Sequence, residues 1–196
     1  MEADWAVALA AADPVITVPW ASSGDDIHTC RFVDLRQDTH LIDEIEEARA
    51  KPQLRSALLR LNAATSPLWT AKCDAWTSSV DDGAEPLDPY EMAAEPGDTA
   101  YGAGSYVDLL ARDVSFLSGF ERHERWIRAV TEVLRSTPAS AARVELVLRR
   151  AEVEGAWGFA VTWFVEGCGS TAQQAGQRWA RALDLALAVV TDVRLV

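Results

Sequence analysis

Lysine is nearly absent from this 196-residue chain: Lys51 and Lys72 are the two, and arginine carries the remaining positive charge. Set against 30 Asp and Glu, the 18 Lys and Arg leave a formal net charge of −12. That balance argues against nucleic acid as a partner, because phosphate backbones are held by neutralising cations. It argues equally against adhesion to an anionic membrane surface. It leaves room for a local basic patch, for which Arg122, Arg125 and Arg128 are the candidates. The use of Arg and Ala in place of Lys reads as the coding bias of a GC-rich bacterial genome.

Cysteine is also scarce. Cys30, Cys73 and Cys168 are odd in number, far apart and contain no C-x-x-C, which suits buried thiols better than a disulfide framework and gives no support to a structural zinc site. Thiols in a reducing compartment are the expectation. Long apolar runs are missing too: no stretch reaches the roughly 18 uninterrupted residues needed to span a bilayer. The segment near Leu183 to Val190 comes closest, with Arg178, Arg181 and Asp184 set around it. The apolar run from Trp5 to Ala12 follows Glu2 and Asp4 where a signal peptide would carry positive charge. The chain is therefore read as cytoplasmic, with no membrane partner.

What is present suffices for a core, since 49% of residues are hydrophobic. Periodicity divides the chain into three. Residues 1–80 form an N-terminal α+β half: a short helix over Asp4 to Ala12, a strand at Val15 to Val18, a turn-rich loop, and a strand from Ile27 to Arg36. A helix over Thr39 to Asn62 follows, with a break at Lys51-Pro52 because proline fits the first turn of a helix and disrupts its interior. A half-buried strand over Trp69 to Trp76 completes this half. Residues 81–100 are an acidic, Pro-rich linker whose composition cannot offset its own ordering entropy.

Residues 101–196 read as strand (Tyr106 to Ala111), helix (capped by Ser118 with Glu121, running to Arg135), and strand (Val144 to Leu148). A tight turn at Glu154-Gly155, a hairpin partner (Trp157 to Glu166) and a helix capped by Ser170 with Gln173 come next. Val193 to Val196 are the expected last strand. The fold class is α+β, an antiparallel sheet with helices packed on one face and a ferredoxin-like βαββαβ order in the C-terminal half. The echo of Phe32-Val33-Asp34-Leu35 in Tyr106-Val107-Asp108-Leu109 suggests that the two halves are duplicated.

Four constellations are candidate sites, each with a structural alternative. Gly167-Cys168-Gly169-Ser170 lies between a strand and a helix, where backbone N–H groups hold anions and a thiol is activated. The alternative is a tight connection with Ser170 as a cap. Asp34 and Asp108 would raise one pKa if they faced each other and so make a general acid; the alternative places both in water. His28 and Cys30 share one strand face, but spacing names no further ligand, so no metal is assigned; His40 and His123 read as surface residues. Trp157 and Trp163 share a strand face with Phe159 and Val161, either as core or as an apolar surface covered by a second subunit or a ligand.

No nucleophile-base pair, metal set or phosphate loop emerges, and no cofactor is named. The functional expectation is a non-catalytic protein that binds a protein partner or self-associates, as a homodimer for example. The alternative is a small-molecule-binding protein or enzyme with a pocket between sheet and helices.

Overall fold

The computed structural model describes residues 1–20, 32–79 and 100–195. The acidic segment Asp81 to Asp98, the loop and strand start at 21–31 with His28 and Cys30, and Val196 lie outside the described residues.

The elements are β1 (Glu2–Ala8), β2 (Ile16–Val18), a 3-10 helix (Thr39–Glu44), α1 (Glu46–Ala50), α2 (Pro52–Asn62), β3 (Leu68–Ser79), β4 (Tyr101–Ala111), α3 (Val114–Leu117), α4 (Phe120–Arg135), β5 (Ala142–Val153), β6 (Ala156–Gly169) and α5 (Ala172–Asp192). Among the described residues six strands join one open sheet in the order β1-β5-β6-β4-β3, with β2 also beside β5. The fold is mixed α+β. β3, β4, β6 and β5 run antiparallel to their neighbours, whereas β1 and β2 lie parallel to β5.

The β5–β6 hairpin follows from its turn. Glu154 and Gly155 both take positive φ, 52° and 85°, the backbone that a two-residue turn needs to match the strand twist. Strand alternation then divides the sheet into two faces. Val107 and Leu109 on β4, Leu146 and Leu148 on β5, and Val161, Trp163 and Val165 on β6 belong to the main core with α2, α4 and α5. Ile127, Val130 and Leu134 of α4 and Leu183 and Leu187 of α5 bury their side chains there, each burial contributing about 1.5–3 kcal/mol. Residues of opposite parity, Leu110, Ala151 and Ala160, join a smaller cluster with Ile16, Val18, Trp69, Ala71 and Leu117.

Polar contacts fix α2 to the sheet. Buried Asn62 donates from Nδ2 to Leu58 O (2.8 Å) and Thr70 Oγ1 (2.7 Å), and its Oδ1 accepts from Thr70 N (3.2 Å). Arg112 donates to the carbonyls of Asn62 and Ala63, satisfying acceptors at the helix end.

Several expectations need correction. Glu2–Ala8 is a strand, not the start of a helix: pairing with β5 overrides the helix propensity of its alanines, and Arg128 stacks 4.3 Å over Trp5 while Arg135 bonds Ala3 O. Residues 32–36 are not a strand, so the Asp34 echo of Asp108 has no matching structure. The helix caps are Gly119 and Thr171, one residue beyond the expected serines. Residues 193–195 are not a strand, and the sheet position beside β4 is taken by β3. The break at Lys51-Pro52 is present, with Pro52 opening α2.

Gly167 explains how closely α5 sits on β6, because a Cβ there would collide with the backbone of Trp179. Gly167→Ala is expected to lower stability by about 1–3 kcal/mol through overpacking. Gly176, with nothing within 4 Å of an added Cβ, should gain roughly 0.5–1 kcal/mol on conversion to Ala. Denaturant unfolding of the two variants checks both signs.

Candidate functional site

On the sheet face opposite α4 and α5, alternation brings Tyr106 and Asp108 of β4 beside Phe164 and Thr162 of β6, their direct cross-strand partners. The Tyr106 and Phe164 rings lie 5.8 Å apart. Arg149 comes from β5. On β3 the register slips between Thr70 and Cys73, so Ala71 and Lys72 together oppose Asp108. A bulge of this kind re-aims side chains at functional positions, and here it delivers one of the chain's two lysines.

These groups line a cavity of ≈ 360 Å³, bordered on its other side by Pro14 to Thr17 and Trp20. Trp20 is anchored by Nε1 donating to Ala71 O (2.9 Å) and carries Lys72 Nζ 5.5 Å over its ring. At the base, Arg149 Nε donates to Thr162 Oγ1 (3.0 Å), and Thr162 Oγ1 donates to Asp108 Oδ1 (2.7 Å). Among the described residues these are the hydrogen bonds of the Arg149 and Asp108 side chains, so Oδ2 and the two Nη atoms make none.

Asp108 is 7% exposed. Burial pushes its carboxyl up to about 6, against the opposing pull of the Thr162 hydroxyl and the Arg149 and Lys72 charges. Burial likewise raises the Tyr106 phenol, helped by Asp108 and Asp74, and lifts the Cys73 thiol to about 12. The arrangement offers a carboxylate that exchanges its proton near neutrality, two cations and aromatic walls.

Of the sequence-derived candidates among the described residues, Asp108 lines this cavity and the others do not. Asp34 sits in a turn, held by Arg36 Nε and Nη2 (both 2.8 Å) and by Gln37 Nε2 (3.1 Å). The Arg36 guanidinium keeps its carboxyl below the usual range, and no bond joins it to Asp108, so the two do not form an acid pair.

Cys168 is fully buried within β6 opposite Gly102, three residues before the cap Thr171, rather than at a helix start. Two amides around that cap are taken by side chains: Gln174 Oε1 accepts from Ser170 N (2.8 Å) and Thr171 Oγ1 accepts from Gln174 N (3.1 Å). Gly167 and Gly169 admit the backbone of Trp179 and the side chain of Gln174, so helix packing accounts for both glycines.

Trp163 is in the main core beneath the helices, whereas Trp157, on the same strand face but beyond their cover, is 60% exposed. His123 is buried, not on the surface, against Phe116 and Phe159, with Nδ1 bonded to Gly119 O (2.9 Å). Among the described residues no three His, Cys, Asp or Glu gather to hold a metal, and no helix is long and apolar enough to cross a membrane.

Sequence reasoning missed Thr162, Arg149, Lys72, Tyr106 and Phe164. The available signal was a polar residue inside each apolar strand, Asp108 and Thr162, on the parity opposite to the core residues. No family model, characterised protein or solved structure matches the chain.

Two outcomes follow. Asp108 binds its proton more tightly folded than unfolded, so its ionisation opposes folding: the penalty grows as pH rises from the ordinary carboxylate range through about 6 and is constant above. Asp108→Asn is expected to stabilise the protein by on the order of 3 kcal/mol at about pH 7.5 and hardly at all near about pH 3.5, as read by denaturant unfolding. Cys73 and Cys168 should resist iodoacetamide at neutral pH and react after denaturation; peptide mass spectrometry showing rapid labelling of Cys168 would contradict its burial.

Proposed function

We propose that this chain is a small-molecule-binding protein whose site is the cavity around Asp108, Thr162 and Arg149. The observation that carries this reading is a buried carboxylate with one oxygen unbonded, set between two cations in a cavity with aromatic walls. Burying a charge without full pairing is costly, and such groups collect where a ligand or reaction uses them. The volume falls at the small end of ligand pockets. The site differs from the sequence expectation in placement: it lies on the face away from the main helices, not between them and the sheet. The C-terminal half, β4 to α5, is then read as a ferredoxin-like unit in which β3 stands in for the fourth strand.

A second reading, a non-catalytic partner-binding or self-associating protein of the cytoplasm, is favoured by the exposure of Trp157 at the hairpin end. Large aromatics in water are common anchors of interfaces. For that reading, Trp157→Ser should abolish any concentration-dependent association seen by sedimentation velocity.

The cavity reading is tested by screening small fragments against ¹⁵N-labelled protein. Binding is expected to shift the amides of Lys72, Tyr106, Asp108, Arg149, Thr162 and Phe164 together. A screen in which no fragment moves these amides would overturn it.

A further inference from the structure

We propose that the cavity takes a small aromatic carboxylic acid carrying a hydrogen-bond donor next to its carboxylate. Arg149 and Lys72 receive the carboxylate, and Asp108 receives the donor. This rests on the reading of the cavity as a ligand site and adds the chemistry of the occupant.

The first argument is charge. The cavity walls hold Arg149, Lys72 and Asp108; with Asp108 ionised they sum to one positive charge. Asp74, the nearest further acid on β3, opposes Tyr106 and is exposed to water, where its field is screened. One carboxylate neutralises that excess. A phosphate dianion would reverse it beside the buried Asp108, and a cation would add to it.

The second argument is hydrogen-bond geometry. Arg149 spends Nε on Thr162, leaving the Nη atoms of a guanidinium fork, whose planar donors match a carboxylate. Thr162 Oγ1 gives its proton to Asp108 Oδ1 and takes one from Arg149, so it has little left for a ligand. Asp108 Oδ2 is an acceptor without a donor. Oδ1 and Arg149 Nε meet on the same Thr162 oxygen, so the acceptor and the fork are neighbours. A ligand that satisfies both must place an acidic group and a donor on adjoining atoms, as an α-hydroxy or α-amino acid does.

The third argument is the wall. Tyr106, Phe164 and Trp20 present aromatic surface around these polar groups, and offset or edge contacts between rings add to simple burial. A single ring with a short acidic tail suits ≈ 360 Å³.

The test is titration calorimetry, with amide shifts to place each compound, using phenyllactate, phenylalanine, 3-phenylpropionate, phenethylamine and phenyl phosphate. Phenyllactate and phenylalanine are expected to bind in the cavity at least about tenfold more tightly than phenethylamine, the worth of a charge-assisted hydrogen bond. Phenyllactate should also exceed 3-phenylpropionate. Lys72→Ala, at an exposed side chain that leaves the core intact, and Arg149→Gln should each weaken the acids by about tenfold. Asp108→Asn should strengthen 3-phenylpropionate and shrink the advantage of phenyllactate over it.

The proposal is overturned if phenethylamine or phenyl phosphate binds more tightly than the acids. Equal affinity for phenyllactate and 3-phenylpropionate overturns the role of Asp108. If other fragments shift the cavity amides while none of the acids does, this ligand class is wrong and the cavity reading stands; if no compound of any kind reaches the cavity, both fall.

Discussion

The pairing of β4 on β6 sets which side of every central side chain meets helices and which meets the cavity. Val107 opposite Trp163 and Asp108 opposite Thr162 are successive rungs of one ladder. Because strand side chains alternate, a slip of one residue would turn Asp108 toward α5 and throw Val107 to the other face. The apolar partners on the helix side, with Val107, Leu109, Val161, Trp163 and Val165 all buried, hold that register. The energy of the main core thus maintains, on the opposite side, a buried acid whose ionisation opposes folding.

The second device is the irregularity of β3. A regular ladder would have put a single residue opposite Asp108; the slip between Thr70 and Cys73 puts Ala71 and Lys72 there. Ala71 accepts the bond that anchors Trp20 beside the cavity, and Lys72 lies above the Trp20 ring. The N-terminal segment, lying as β1 and β2 along β5, brings Pro14 to Thr17 over the same face. Residues distant in the chain converge because one sheet gathers the strands of the described residues.

Much of the fold was legible where local signals agree with tertiary ones. The break at Pro52, the Glu154-Gly155 turn and the period of α5 were readable because backbone chemistry and hydrophobic spacing point the same way. β1 was not readable: Ala6, Ala8, Ala10 and Ala11 favour helix, and only its pairing with β5 makes it a strand. The site was legible at one position. Asp108 is a charge inside an apolar strand, whereas Lys72 reaches the cavity through a bulge, and Arg149 and Thr162 meet through a diagonal contact between strands. Neither leaves a spacing in the sequence. The sequence Gly167-Cys168-Gly169 was ambiguous because glycines that admit a helix backbone and glycines that cradle an anion look alike in sequence.

The central claim is that Asp108 is a buried acid held between Thr162 and two cations on the face away from the helices. A ¹³C NMR titration of its side-chain carboxyl tests this most directly. The account expects a midpoint at about 6 that rises further when Thr162→Val removes the donated hydroxyl proton. A midpoint in the ordinary aspartate range near about 4, unmoved by that substitution, would place Asp108 in water and contradict the account.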